Sequence, residues 1–235
     1  MKIRSLIIFA AIAATLATTS CQPGKSGKDV KLETNADSAS YALGVLIGSN
    51  NKRQMDMTPG ANEMNVDLLI AAMEKSLKGE DTKITNEEAS SLIRKYFEAA
   101  SKKQGQKNLD AGKAFLEENK GKEGVVTLPS GLQYEILKEG NGPKPTINDK
   151  VKCHYKGTTI DGKVFDSSIE RGEPAEFPVN GVIKGWTEAL QLMPVGSKWK
   201  LYVPADLAYG ERGAGAEIGP NSTLIFEVEL LEIVK

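Results

Sequence analysis

Thr223-Leu224-Ile225-Phe226-Glu227-Val228-Glu229-Leu230-Leu231 is the stretch on which the fold turns. Leu224, Phe226, Val228 and Leu230 share one parity, and Ile225, Glu227, Glu229 and Leu231 the other. A period of two marks an antiparallel strand with one buried face. The same alternation recurs upstream in Leu132-Tyr134-Ile136, in Val151-Cys153-Tyr155 against Lys152-His154-Lys156, and in Trp199-Leu201-Val203 against Lys198-Lys200-Tyr202. Asp161-Gly162 reads as a tight turn between strands. Trp186 to Met193 is the single helical stretch here, ended by Pro194 and Gly196. One antiparallel sheet and one short helix predict an α+β domain over 125–235, a half-barrel wrapped around that helix.

Ahead of it the texture is helical. Asp37-Ser38 opens a helix pattern, with Tyr41 and Val45 on one stripe and Gly44 and Gly48 four apart. Asn50 to Asn65 reads as a loop around Pro59-Gly60. Val66, Leu69, Ile70, Met73 and Leu77 form a second stripe that stops at Gly79. Thr85 with Glu88 is a capping box, and a helix over 86–119 would be roughly 50 Å long at ~1.5 Å per residue. Its middle, Ser101 to Lys113, has no apolar stripe and predicts a strut standing in solvent, with Gly105 and Gly112 as places to bend. Residues 37–120 are thus expected to be an all-α arm with a long linker helix. Two stripes and a bare strut make a thin core, so pairing with a second copy as a homodimer is expected.

The first twenty residues are of another kind. Lys2 and Arg4 precede an apolar run from Leu6 to Ala17, and Thr18-Thr19-Ser20 leads into Cys21. This is the layout of an export signal over 1–20, too short to span a bilayer comfortably. Cys21 in that position resembles a lipoprotein processing site, so it is the expected point of lipidation, although Thr18 stands where a large aliphatic is usual. Residues 21–36 then read as a flexible Gly/Lys/Ser-rich tether.

The chain has 235 residues and a net charge of −1, which becomes −3 without Lys2 and Arg4. A nucleic-acid binder would show a basic excess. Cys153 reads as a small buried hydrophobe in a strand, and a single histidine, His154, builds no metal site alone.

Four ordered segments carry a resemblance: Val164-Phe165-Asp166-Ser167-Ser168, Val182-Ile183-Lys184-Gly185-Trp186, Ala208-Tyr209-Gly210 and Thr223-Leu224-Ile225-Phe226. Together they resemble the FKBP-type peptidyl-prolyl cis/trans isomerase domain. The run Gly185 to Pro194, with Ala114 to Lys120 and Leu128 to Tyr134, is similar more narrowly to the macrophage infectivity potentiator subfamily. That resemblance implies a V-shaped homodimer in the bacterial envelope, an exported lipoprotein of the outer membrane facing the periplasm. Its partners would be proline-containing unfolded or exported proteins, with macrolides as inhibitors and no cofactor.

Carried over residue by residue, the resemblance implies a pocket walled by Tyr155, Phe165, Tyr209 and Phe226 and floored by Trp186. Val182 and Ile183 would line one side, with the Ile183 N–H open to a substrate carbonyl. Asp166 would be the lone rim acid and Ile218 a flap residue. Asp166, Tyr209 and Trp186 are the expected catalytic groups. Ala175 stands where many members carry Phe, which widens the pocket. The alternative function is a dimeric holdase clamp that grips unfolded clients, with isomerisation incidental.

Overall fold

The computed structural model describes residues 30–234. The expected signal segment, Cys21 and the first part of the tether lie outside the described residues.

Among the described residues three long helices come first: α1 (Asn35–Met57), α2 (Val66–Lys78) and α3 (Asn86–Asn119). Helix α1 overruns its expected end at Asn50, because Lys52, Arg53, Gln54 and Met55 are good helix formers and nothing stops the chain before Pro59-Gly60. It buries none of its residues. Helix α2 starts where the Asn65 side chain accepts from the Leu68 N–H at 3.1 Å and ends at Gly79 with φ of 68°. At α3 the Thr85 hydroxyl accepts from the Glu88 N–H while the Glu88 carboxylate accepts from the Thr85 N–H, the expected capping box.

The solvent-borne strut is not what forms. Gly105 and Gly112 are buried on one face of α3. A Cβ at Gly112 would come within 2.3 Å of the Thr223 hydroxyl, and one at Gly105 within 3.3 Å of Pro220. Asn108, between them, donates to the Pro220 carbonyl at 2.7 Å. The seam is made of glycine and asparagine, so no apolar stripe announces it. These glycines serve close approach rather than bending. Further along, Asn119 donates to Gln133 at 2.9 Å, and Gln133 donates to the Leu116 carbonyl at 2.8 Å, a second bond on an acceptor that the Lys120 N–H also reaches. Gln133 and Tyr202, placed on the outward parity of their strands, are buried for this reason: the end of α3 covers that face, with Phe115 6.0 Å from the Tyr202 ring.

Seven strands follow: β1 (Val125–Thr127), β2 (Gln133–Lys138), β3 (Lys150–Thr159), β4 (Val164–Ser167), β5 (Ala175–Pro178), β6 (Lys198–Val203) and β7 (Leu224–Val234). The order is β1-β2-β6-β7-β3-β4, with β5 beside the start of β3 and every pairing antiparallel. The expected α+β half-barrel is observed. The expected helix, α5 (Lys184–Leu190), lies against the sheet with Trp186, Ala189 and Leu190 buried. Gly185 permits this, since a Cβ there would meet Val203 at 2.6 Å. A short helix that the alternation hides, α4 (Ser168–Arg171), follows β4, capped by the Ser167 hydroxyl. The core gathers Leu201, Leu224, Phe226, Val228 and Leu230 from the predicted inward parity, with Val151 and Cys153 from β3.

Candidate functional site

The strands turn their inward residues toward α5 and leave a hollow of about 400 Å³ at one end. Trp186 is its floor. The rings of Tyr155 at 5.3 Å, Phe226 at 5.3 Å and Phe177 at 5.7 Å each stand nearly perpendicular to the indole. Such edge-to-face pairs suit ring quadrupoles and hold each wall in one orientation. Phe165 stands edge-on to Phe226 at 5.6 Å, and Val182, Ile183, Asp166 and Tyr209 complete the rim. Tyr155, Phe165, Asp166, Val182, Ile183, Trp186, Tyr209 and Phe226 therefore come together. Ile218 does not join them: it is buried in the core cluster and is not among the residues lining the hollow.

Asp166 belongs to a three-group cluster. The Tyr155 hydroxyl donates to one carboxylate oxygen at 2.5 Å, and Arg171 donates to the other. Arg171 also donates to the Tyr155 hydroxyl at 2.9 Å, with its guanidinium 5.5 Å from that ring's centroid. Burial pushes the Asp166 carboxyl up, but the bonds from Tyr155 and Arg171 bring it below its ordinary value. Tyr155 is pushed up by burial and by its bond to Asp166, against the pull of Arg171. Tyr209 is raised by burial and by the Asp166 charge. Both phenols are thus neutral donors and Asp166 is a fixed anion. The Tyr209 hydroxyl and the Ile183 N–H make no hydrogen bond to another described residue, and both lie at the hollow.

Three contributors escaped the sequence reading. Gly157 sits inside β3, where a Cβ would meet the Phe165 ring at 2.6 Å and the Phe226 ring at 2.9 Å. A glycine in a strand interior was its signal. Phe177 shares parity with Ala175 on β5, and that period of two was readable. Arg171 had no signal, because α4 is too short to leave a pattern.

A hollow with aromatic walls, a neutral hydroxyl and a free N–H, and no nucleophile poised beside a base, is a binding site for an apolar group next to a carbonyl. A family model described as FKBP-type peptidyl-prolyl cis-trans isomerase matches residues 142–231, and one for the domain amino terminal to it matches residues 36–136. The chain is 48% identical over 199 residues to the FKBP-type 22 kDa peptidyl-prolyl cis-trans isomerase of Escherichia coli K12, covering 83% of this chain and 94% of that protein. It is 42% identical over 240 residues to the Outer membrane protein MIP of Legionella longbeachae, covering 99% and 95%. Among solved structures, FkpA from Escherichia coli aligns with a TM-score of 0.63 at 35% identity, over 86% of this chain and 97% of that one.

The chain belongs to the FKBP-type peptidyl-prolyl cis-trans isomerases. It isomerises the peptide bond before proline in protein substrates. Among the described residues no helix is long and apolar enough to cross a membrane.

Proposed function

We propose that catalysis rests on the Trp186 hollow hosting the twisted X–Pro amide. Rotation about that bond breaks amide resonance, against a barrier of ~18–20 kcal/mol. The twisted form separates less charge between nitrogen and oxygen, so an aromatic, water-poor cavity favours it over the planar form. The proline ring packs on the Trp186 indole, and Phe165, Phe177 and Phe226 keep water from the amide. The Ile183 N–H and the Tyr209 hydroxyl donate to carbonyl oxygens of the bound segment. An ionised carboxylate only accepts hydrogen bonds, and both oxygens of Asp166 are engaged. Asp166 therefore acts by fixing Tyr155 and through its charge. A millionfold acceleration needs ~8 kcal/mol, which desolvation and two oriented donors together can supply. The observation that carries this reading is the meeting of Trp186 with three edge-on rings beneath two unpaired donors. A peptide isomerisation assay tests it: full activity in Trp186→Ala with the fold retained would refute it.

The finer setting follows the same reading. Cys21 carries the lipid of an exported envelope protein, as the name of the Legionella relative and the leader pattern support. Macrolides occupy the same hollow. The chain pairs as a homodimer through its helices: a trough of about 790 Å³ between α2 and the start of α3, lined by Leu68, Leu69, Met73, Leu92 and Ile93, offers an apolar seat for a partner helix. That trough also supports the second reading, a clamp that holds unfolded clients. A fragment of residues 125–235 discriminates: if it suppresses client aggregation as well as the full chain does, the clamp reading fails.

A further inference from the structure

Midway along α3, one face meets the turn of residues 219–222 in the sheet domain. Asn108 donates to the Pro220 carbonyl at 2.7 Å and lies 3.4 Å from the Ser222 hydroxyl. Gln104 donates to the Asn108 side-chain oxygen at 2.7 Å, which sets the direction of the amide. The gripped turn is itself strained and tied. Asn221 takes φ of 53°, the left-handed region, and its N–H donates to the Gly210 carbonyl at 2.8 Å. Gly210 directly follows Tyr209. Ser222 donates to the Gly219 carbonyl at 2.9 Å, and Ala214 and Ile218 pair backbone to backbone across the loop. Segment 210–219 is thus closed on itself and anchored at both ends on the turn that Asn108 holds. An αL residue other than glycine persists only where its surroundings enforce it, and here the enforcing contacts are the Gly210 carbonyl on one side and α3 on the other.

We propose that Asn108 is a positioning residue for prolyl isomerisation. By gripping the 219–222 turn from the linker helix, it sets the 210–219 loop and, through the Asn221–Gly210 bond, the phenol of Tyr209 at the hollow. This rests on the reading that Tyr209 lines the substrate site. Gly105 and Gly112 belong to the same device, because only glycine lets α3 come close enough for the Asn108 amide to reach.

Asn108→Asp keeps the shape and removes the donor. It should lower kcat/KM on an X–Pro peptide about tenfold while the unfolding midpoint of the full chain stays within a few degrees. The NMR signals of the Tyr209 and Gly210 amides should shift, which a distant structural effect would not produce. Gly112→Ala should cause a similar loss by driving a methyl against Thr223, and Gly112→Ala/Thr223→Ala should recover most of it. A cycle with Tyr209→Phe supplies the coupling: the losses from Asn108→Asp and Tyr209→Phe should be less than multiplicative. Wild-type activity in both Asn108→Asp and Gly112→Ala, or losses that multiply in full where Tyr209→Phe is itself impaired, would overturn the inference. A silent Tyr209→Phe beside an impaired Asn108→Asp would instead fault the role given to the Tyr209 hydroxyl and leave the grip of α3 on the loop standing.

Discussion

Helix α2 and the sheet domain bury their apolar residues in opposite ways. Over 13 residues α2 buries none, and Leu68 and Leu77 are 69% and 80% exposed. The sheet domain closes Leu201, Val203, Leu224, Val228 and Leu230 to 0% exposure around α5. Each apolar side chain moved out of water is worth about 1.5–3 kcal/mol, so the second region has what it needs within one chain and the first does not. The apolar stripe of α2 stays open to solvent, whereas the catalytic domain closes its own core.

Four changes would break or sharpen that contrast. Trp186→Ala removes the body around which the sheet domain and the hollow are both built. It should cost ~3–5 kcal/mol in urea unfolding and abolish isomerisation, while helical circular dichroism from the arm persists. Asp166→Leu should lower kcat/KM by about ten- to a hundredfold, roughly 1.4–2.8 kcal/mol, with the fold intact.

Leu69→Asp places a charge in the α2–α3 trough. In sedimentation it should convert a dimer to a monomer and leave activity on a short peptide within about twofold; a dimer that survives would show that the trough is not the seam. Thr85→Ala, which removes one cap from α3, should cost only about 1 kcal/mol, read as earlier loss of helicity on heating.

The acid response of the catalytic half follows from its cluster. The Asp166 carboxyl is held low, so it is charged at and above the ordinary carboxylate value near ~3.9 and protonates only as pH falls beneath that. The stabilisation it draws from Tyr155 and Arg171 is present above that value and is lost as pH drops through the lowered one. Activity should therefore be level from about pH 5 upward and fall below about pH 4. Arg171→Ala should move the fall to higher pH, measured as a pH–rate profile.

Legibility in the sequence followed the same division. The parity of β7 fixed which residues face α5; Phe165 and Phe226 lay in the ordered motifs, and Tyr155 came from the residue-by-residue resemblance. What stayed hidden was what period cannot express. Gly157 matters for the side chain it lacks, and Gly105, Asn108 and Gly112 form a seam with no apolar residue in it. Gln133 and Tyr202 were assigned outward by parity and buried by a helix from elsewhere in the chain. Arg171 reaches Asp166 across four residues of helix too brief to show a repeat. Ile218, expected at the flap, is buried in the core cluster and pairs backbone to backbone with Ala214.

Cys153 lies fully enclosed beneath the sheet, and burial pushes its thiol up to about 12. At neutral pH the reactive thiolate is then scarcely populated. The sulfur is shielded from oxidants and from exchange with foreign disulfides, and a maleimide dye added to the folded sheet domain should fail to attach there until denaturant opens it.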